Sequence, residues 1–278
     1  MLRRLAAALA AVVVVPSVAL GERAAPAKPV ISPNWSGYVV FGTDAYDLQL
    51  VATDIVVPRV RCAAGETTLT SIWAGIGGYD SHYSLAQVGV SAYCEHGRAG
   101  YDLWDEWYDE KKNNPAHVIS GVTVLPGEEV SLRVKKVNAT HYVASMAEWN
   151  PHSGHRLASY GTTLSDAHGL PIGNSAECVV ESPAKIKGGY YPLASFGAVT
   201  FSPCEASSQP TFEHEVVDVV TGLGYTVTSS HSLSPSFQLY SSRVDLVRAK
   251  VLRAAAGPPH PAGAHHPLVS FTVFWKHA

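Results

Sequence analysis

The chain has 278 residues, 46% of them hydrophobic and 15% charged, with a formal net charge of −3. That is an ordinary globular composition with ample length for a large core, in one domain or two. The charged fraction lies below the ~25% of an average chain and no basic stripe stands out, which speaks against a nucleic-acid partner.

Residues 1–21, MLRRLAAALAAVVVVPSVALG, read as a secretory signal peptide. Arg3 and Arg4 form the positive region, Leu5 to Val15 the apolar stretch, and Ala19-Leu20-Gly21 a small-x-small cleavage site. Pro16 breaks the apolar run short of the ~20 residues a spanning helix needs, so an anchor is the poorer reading. The expectation is a secreted, extracellular protein with no membrane association after cleavage. Losing the two arginines takes the formal charge from −3 to −5. Residues 22–33, ERAAPAKPVISP, form a flexible Pro- and Ala-rich lead-in, and residues 34–278 the folded domain.

From Asn34 on, strand-like segments follow at the spacing of an all-β sandwich. They cover 35–41, 49–57, 68–76, 84–94, 99–109, 117–124, 129–137, 140–148, 176–181 and 195–202. Turn-forming clusters such as "KKNNPAH" and "LPGEE" separate them, and no βαβ alternation is visible. Farther on, "HEVVDVV", "GYTVTSS" and "LVSFTVFW" read as strands. Between them "SSRVDLVRAKVLRAAAG", residues 241–257, has Ser caps, helix formers and a closing Gly, and predicts one short helix. The Pro- and His-rich "PPHPAGAHHP" that follows reads as a solvated linker rather than a metal tract.

Four cysteines, Cys62, Cys94, Cys178 and Cys204, suit an exported protein with two disulfides, and their spacings do not suit a zinc site. Three pairings are open. The local one, Cys62–Cys94 with Cys178–Cys204, is expected because each bond closes a loop around neighbouring strands.

Alternation then places polar groups. In "SLAQVGVSAYC", Ala86, Val88, Val90 and Ala92 make one apolar face, and Gln87, Gly89 and Ser91 share the other. In "SIWAGIGG", Ile72, Ala74 and Ile76 alternate with Trp73, Gly75 and Gly77, glycines that leave room for something to approach the backbone. In "SAECVVES", Glu177 and Glu181 share one face. A lone Gln or Glu on a strand is ordinarily just solvated. Trp73, Gln87, Ser91, Glu177 and Glu181 together make a polar, aromatic surface like the concave face of a lectin-like sandwich.

These segments resemble the glutamic peptidase (eqolisin) family, acid endopeptidases best known from fungi. The landmarks are "NWSGYV" at 34–39, "IWAGIGG" at 72–78, "LAQVGV" at 85–90, "WDEWY" at 104–108, "SAECVVES" at 175–182, "SFGAVTFS" at 195–202 and "SFTVFW" at 270–275. They occur in the family's order. The resemblance implies an antiparallel β-sandwich of two large sheets and a catalytic pair, here Gln87 and Glu177. It also implies a substrate cleft lined by Trp73, Ser91, Glu106 and Glu181. A glutamate can take a proton from an attacking water and pass it to the leaving amine, while a glutamine amide stabilises the oxyanion. No metal, cofactor or covalent intermediate is required. The expected partner is a polypeptide substrate, and the protein is expected to be a monomer.

The chain departs from the family in places. Gly77 and Ser91 stand where acidic residues are usual, Cys178 where Trp follows the catalytic Glu, and Ser182-Pro183 where Asp-Phe is found. Residues 230–266 look like an insertion before the last strand. Losing two acidic neighbours predicts an activity optimum in mild rather than strong acid. Charging of the 13 histidines predicts self-repulsion and falling stability in strong acid. The competing reading is a catalytically weak or inactive lectin-like module that only holds peptide or glycan. Retention of both Gln87 and Glu177 favours the enzyme.

Overall fold

In the computed structural model the described residues are 30–32, 34–41, 48–79, 84–109, 115–138, 141–150, 152–165, 175–212, 215–219, 223–226, 229–233, 236–242, 248–251, 255–256, 267–268 and 270–275. The signal segment, most of the lead-in and much of the 230–266 insertion lie outside them. All regular structure among the described residues is β.

One sheet has eight strands. In spatial order these are β1 (Val30–Ser32), β16 (Ser236–Ser242), β2 (Trp35–Phe41), β11 (Ser175–Glu181), β4 (Thr68–Gly77), β5 (Leu85–Glu95), β6 (Arg98–Tyr108) and β7 (His117–Val118). The second sheet has ten. It runs β10 (Arg156–Ser165), β9 (His141–Trp149), β8 (Glu129–Asn138), β3 (Leu50–Val56), β12 (Ala198–Ser207), β13 (Glu215–Asp218), β14 (Leu223–Thr226) and β15 (Ser229–Leu233). Attached to it are β20 (Phe271–Phe274), which pairs β12, and β17 (Arg248–Val251), which pairs β20. A small pair, β18 (Ala255–Ala256) and β19 (Pro267–Leu268), stands apart. Pairing between β1 and β16 is parallel, and around the site every pairing is antiparallel.

The core between the sheets takes Ile72, Ala74 and Ile76 from β4, Ala86, Val88 and Val90 from β5, and Ala176, Cys178 and Val180 from β11. From the other side come Val51 and Ile55, Leu132, Met146 and the stacked rings of Phe201 and Phe271, 4.7 Å apart. This is the alternation expected of facing sheets. β8 and β9 keep it in its simple form, with one face buried and one solvated. β4 and β11 are buried on almost every residue, because their second face is covered as well.

Both disulfides form as the local pairing expects. Cys62–Cys94 has a Cα separation of 5.6 Å and ties the chain after β3 to the end of β5. Cys178–Cys204 has one of 6.3 Å and crosses the core from β11 to β12.

Three expectations change. The segment 241–257, expected to be helical, contains strand β17, where pairing with β20 over Arg248–Val251 overrides local helix preference. The strand expected over 117–124 shrinks to His117–Val118, bonded to β6 at Trp104 and Asp105. β10, in "RLASYGTTLS", was not foreseen: it is an edge strand, mostly exposed or half-buried, so little apolar alternation marks it.

Candidate active site

Four adjacent strands, β11, β4, β5 and β6, carry the site. Their registers place Glu177 opposite Gly75, Gly75 opposite Gln87, and Gln87 opposite Glu106. These four residues therefore form one row across the sheet, on the face turned away from the inter-sheet core. Glu177 and Gln87 flank Gly75, with their backbones about 10 Å apart at ordinary strand spacing. Two further rows run parallel to it. One holds Val179, Trp73, Gly89 and Trp104, and the other Glu181, Ser71, Ser91 and Asp102.

The register has a local cause. β5 and β6 are joined by a two-residue turn, His96–Gly97, in which both residues have positive φ (51° and 81°). That is the hairpin turn whose twist matches the flanking strands. It pairs Glu95 with Arg98, and ten further pairs along the hairpin bring Leu85 opposite Tyr108, with Gln87 opposite Glu106 on the way.

Gly75 is filled from above by the protein itself. A Cβ there would stand 2.8 Å from Leu85 Cδ1 and 2.9 Å from Trp73 Cζ3. The glycines on this face thus admit the molecule's own side chains, and Trp73, Leu85, Trp104 and Val179 pack over them as a second apolar cluster with Trp35 against it. The result is a dry floor around two polar side chains.

Those two are buried and unsatisfied. Glu177 has 0% exposure and Gln87 5%. Neither carboxylate oxygen of Glu177 nor Oε1 of Gln87 has a hydrogen-bond partner. Buried polar atoms ordinarily find partners, so three orphans on one row leave acceptor capacity that the fold itself does not use. Burial pushes the Glu177 carboxyl well above the usual glutamate range, opposed only in part by the Ser175 hydroxyl, which lies near the carboxylate but outside full hydrogen-bond geometry.

Glu181 differs. Its Oε1 accepts Asn34 Nδ2–H at 2.9 Å and its Oε2 accepts Trp73 Nε1–H at 2.8 Å. Burial raises its pKa, and hydrogen bonds from Trp35, Trp73 and Asn34 oppose the shift. With both oxygens engaged, it fixes the Trp73 indole rather than standing free for proton transfer. Trp35 packs edge-on against that indole with ring centroids 5.0 Å apart.

Glu106 accepts Gln87 Nε2–H at 2.7 Å. Burial and then the nearby Glu181 charge push its carboxyl up to about 7, against the Gln87 hydrogen bond. Ser91 is half-buried on the same face, opposite Ser71 and Asp102. The structure thus brings Trp73, Gln87, Ser91, Glu106, Glu177 and Glu181 to one face. Among the described residues no cluster of three His, Cys, Asp or Glu could hold a metal ion.

Sequence reading missed two features. Asn34, which the sequence offers only as the first residue of the "NWSGYV" landmark, donates its side-chain amide N–H to Glu181. The Gln87–Glu106 pair was also missed, although the His96-Gly97 turn would have given the register. Gly77, where the family usually has an acidic residue, has φ of 88°, a conformation that glycine adopts readily and a side-chain-bearing residue does not.

A sequence model of the peptidase A4 family matches residues 33–238. Among solved structures, the fold is similar to scytalido-glutamic peptidase bound to a transition-state-analogue inhibitor. The identity is 21%, the TM-score 0.57, and the match covers 88% of this chain and 98% of that one. It is also similar to SCP-B, an eqolisin solved with the tripeptide Ala-Ile-His, at 20% identity, TM-score 0.56, and 88% and 98% coverage. Comparison with curated protein sequences finds no significant match.

Proposed function

Given that the chain belongs to the peptidase A4 family, the eqolisins or glutamic peptidases, we propose that it is a secreted acid endopeptidase whose catalytic pair is Glu177 and Gln87. One observation carries the reading: the two lie in one row on either side of Gly75, both buried, with their outward oxygens unpartnered. A water brought to the Glu177 carboxylate supplies the donor that its oxygens lack.

In the proposed reaction the Glu177 carboxylate accepts a proton from that water as its oxygen adds to the scissile carbonyl. A Gln87 N–H donates to the developing oxyanion, in a setting dried by Trp73, Leu85 and Trp104. As the tetrahedral adduct collapses, Glu177, now a carboxylic acid, delivers its proton to the leaving amine. The C–N bond breaks and the carboxylate is restored. Water is the nucleophile, so no covalent intermediate forms.

Because burial lifts the Glu177 pKa, the base is ionised only above the usual glutamate range. This supports an optimum in mild acid. Export by the signal segment 1–21 fits the two disulfides. Casein incubated with the purified protein from about pH 2 to about pH 7 tests the reading. New peptide termini that peak in mild acid support it, and intact casein throughout contradicts it.

A further inference from the structure

Gln87 has an amide with two chemically different ends, and only one can face Glu177. What decides is Glu106. Its carboxyl lies 2.7 Å from the Gln87 amide, at the end of the row away from Glu177. An ionised carboxylate only accepts hydrogen bonds, so it draws an N–H of Gln87 and turns Oε1 away, where it is buried without a partner. A protonated carboxyl can instead donate its O–H to Oε1. That partners the orphaned oxygen and turns the NH2 group toward the cleft, where the oxyanion forms.

We propose that Glu106 is a positioning residue that sets the Gln87 amide by its own protonation, holding the donor end toward substrate only while it carries a proton. The proposal rests on the catalytic pair assigned above. It assigns the alkaline limb of the pH–rate profile to loss of the Glu106 proton.

The surroundings favour a proton on Glu106. Burial and the Glu181 charge on β11 push its carboxyl up to about 7. Of the other titratable groups, Glu177 closes the same row, and Asp102 and Tyr108 lie on the same face of β6 by strand alternation. On β7, His117 is turned to the opposite face, where its Nδ1 meets Asp105 Oδ2 at 3.1 Å. No cation therefore faces Glu106 among the described residues to hold it ionised.

The test compares wild type, Glu106→Gln and Glu106→Ala with two readouts. The first is kcat/KM on a quenched peptide between about pH 3 and about pH 8. A glutamine at 106 cannot ionise and can always donate to Oε1. Glu106→Gln should retain more acid-side kcat than Glu106→Ala and move the alkaline limb up by about one pH unit or more. Glu106→Ala should lower kcat by about ten-fold or more at every pH, with KM little changed. An unmoved alkaline limb in active Glu106→Gln, or wild-type kcat in Glu106→Ala, overturns the proposal.

The second readout is the side-chain amide 15N shift of Gln87 in the wild-type protein over the same pH range. It should titrate with the alkaline limb, and lose that inflection in Glu106→Gln. A flat wild-type titration overturns the proposal even if the variants fail to fold. If wild type cleaves no peptide at any pH, the peptidase reading fails by itself, and the amide titration still decides the role of Glu106.

Discussion

Trp73 Nε1–H donates to Glu181 Oε2 at 2.8 Å, across the strand pair that also carries Glu177. Two glutamates share one face of β11, and this contact distinguishes them. Glu181 is satisfied by Trp73 and Asn34, whereas Glu177 is buried with both oxygens unpartnered. Glu181 holds the indole that walls the site. Glu177 is the one with acceptor capacity to spare.

Trp73→Phe keeps most of the ring but removes the donor. The variant should lose about 1–3 kcal/mol of stability, the cost of leaving a buried acceptor unpaired, and should bind peptide less well. Denaturant unfolding and KM on a quenched peptide check it. Unchanged values of both would mean that the Trp73–Glu181 contact contributes nothing.

Cys178–Cys204 fastens the residue next to Glu177 to the opposite sheet, and Cys62–Cys94 fastens the far end of the Gln87 strand. Their sequence separations, 26 residues for Cys178–Cys204 and 32 for Cys62–Cys94, are similar, so the chain-entropy model gives both about 3.5 kcal/mol. Paired Cys→Ala variants should therefore lose similar stability, but only the Cys178/Cys204 pair should also lower kcat. Thermal melts and kcat measured side by side would show the difference. Equal effects on kcat would contradict it.

Stability should be greater in acid than at neutral pH. Glu106 and Glu205 are pushed from 4.5 to about 7, chiefly by burial, and Glu177 and Glu181 are raised too. A carboxyl raised in the folded state binds its proton more tightly there than in the unfolded chain. Its contribution is fully present below the unfolded value near 4.5 and is lost as pH rises through about 7. Histidine charging, by contrast, acts as diffuse surface repulsion that salt screens. Tm should be higher at about pH 4 than at about pH 8, and the reverse order would mean that self-repulsion wins.

The two missing family carboxylates should not be equally replaceable. Gly77 has φ of 88°, so Gly77→Asp should cost about 1 kcal/mol or more at any pH. Ser91 lies in the regular part of β5 opposite Asp102, so Ser91→Asp should be tolerated in acid and destabilise as both carboxyls ionise. Urea unfolding in acid and at neutral pH separates the two. A pH-independent loss in Ser91→Asp would contradict this account.

How much of this was legible in the sequence depends on where each signal lay. Alternation in "LAQVGV" and "SAECVVES" put Gln87 and Glu177 on non-core faces, because a strand's two faces follow from counting by two. The family's landmarks then paired them. The contact between Gln87 and Glu106 depends on register, which alternation does not carry, and the turn that sets it uses His96 in place of the usual Asn or Asp. Arg248–Val251 was misread because helix-forming composition says nothing about β20, its partner about two dozen residues later. Glu181 was placed on the right face but given a looser role, since only the fold reveals that Asn34 and Trp73 converge on it.

The most direct measurement is kcat/KM of freshly purified Glu177→Gln on a quenched peptide in mild acid, beside wild type, with the fold checked by circular dichroism and Tm. Glutamine keeps the shape and removes the proton acceptor. If Glu177 activates the water, the variant should lose about a thousand-fold or more while remaining folded. Activity within about ten-fold of wild type, with deamidation excluded by mass, would contradict the assignment.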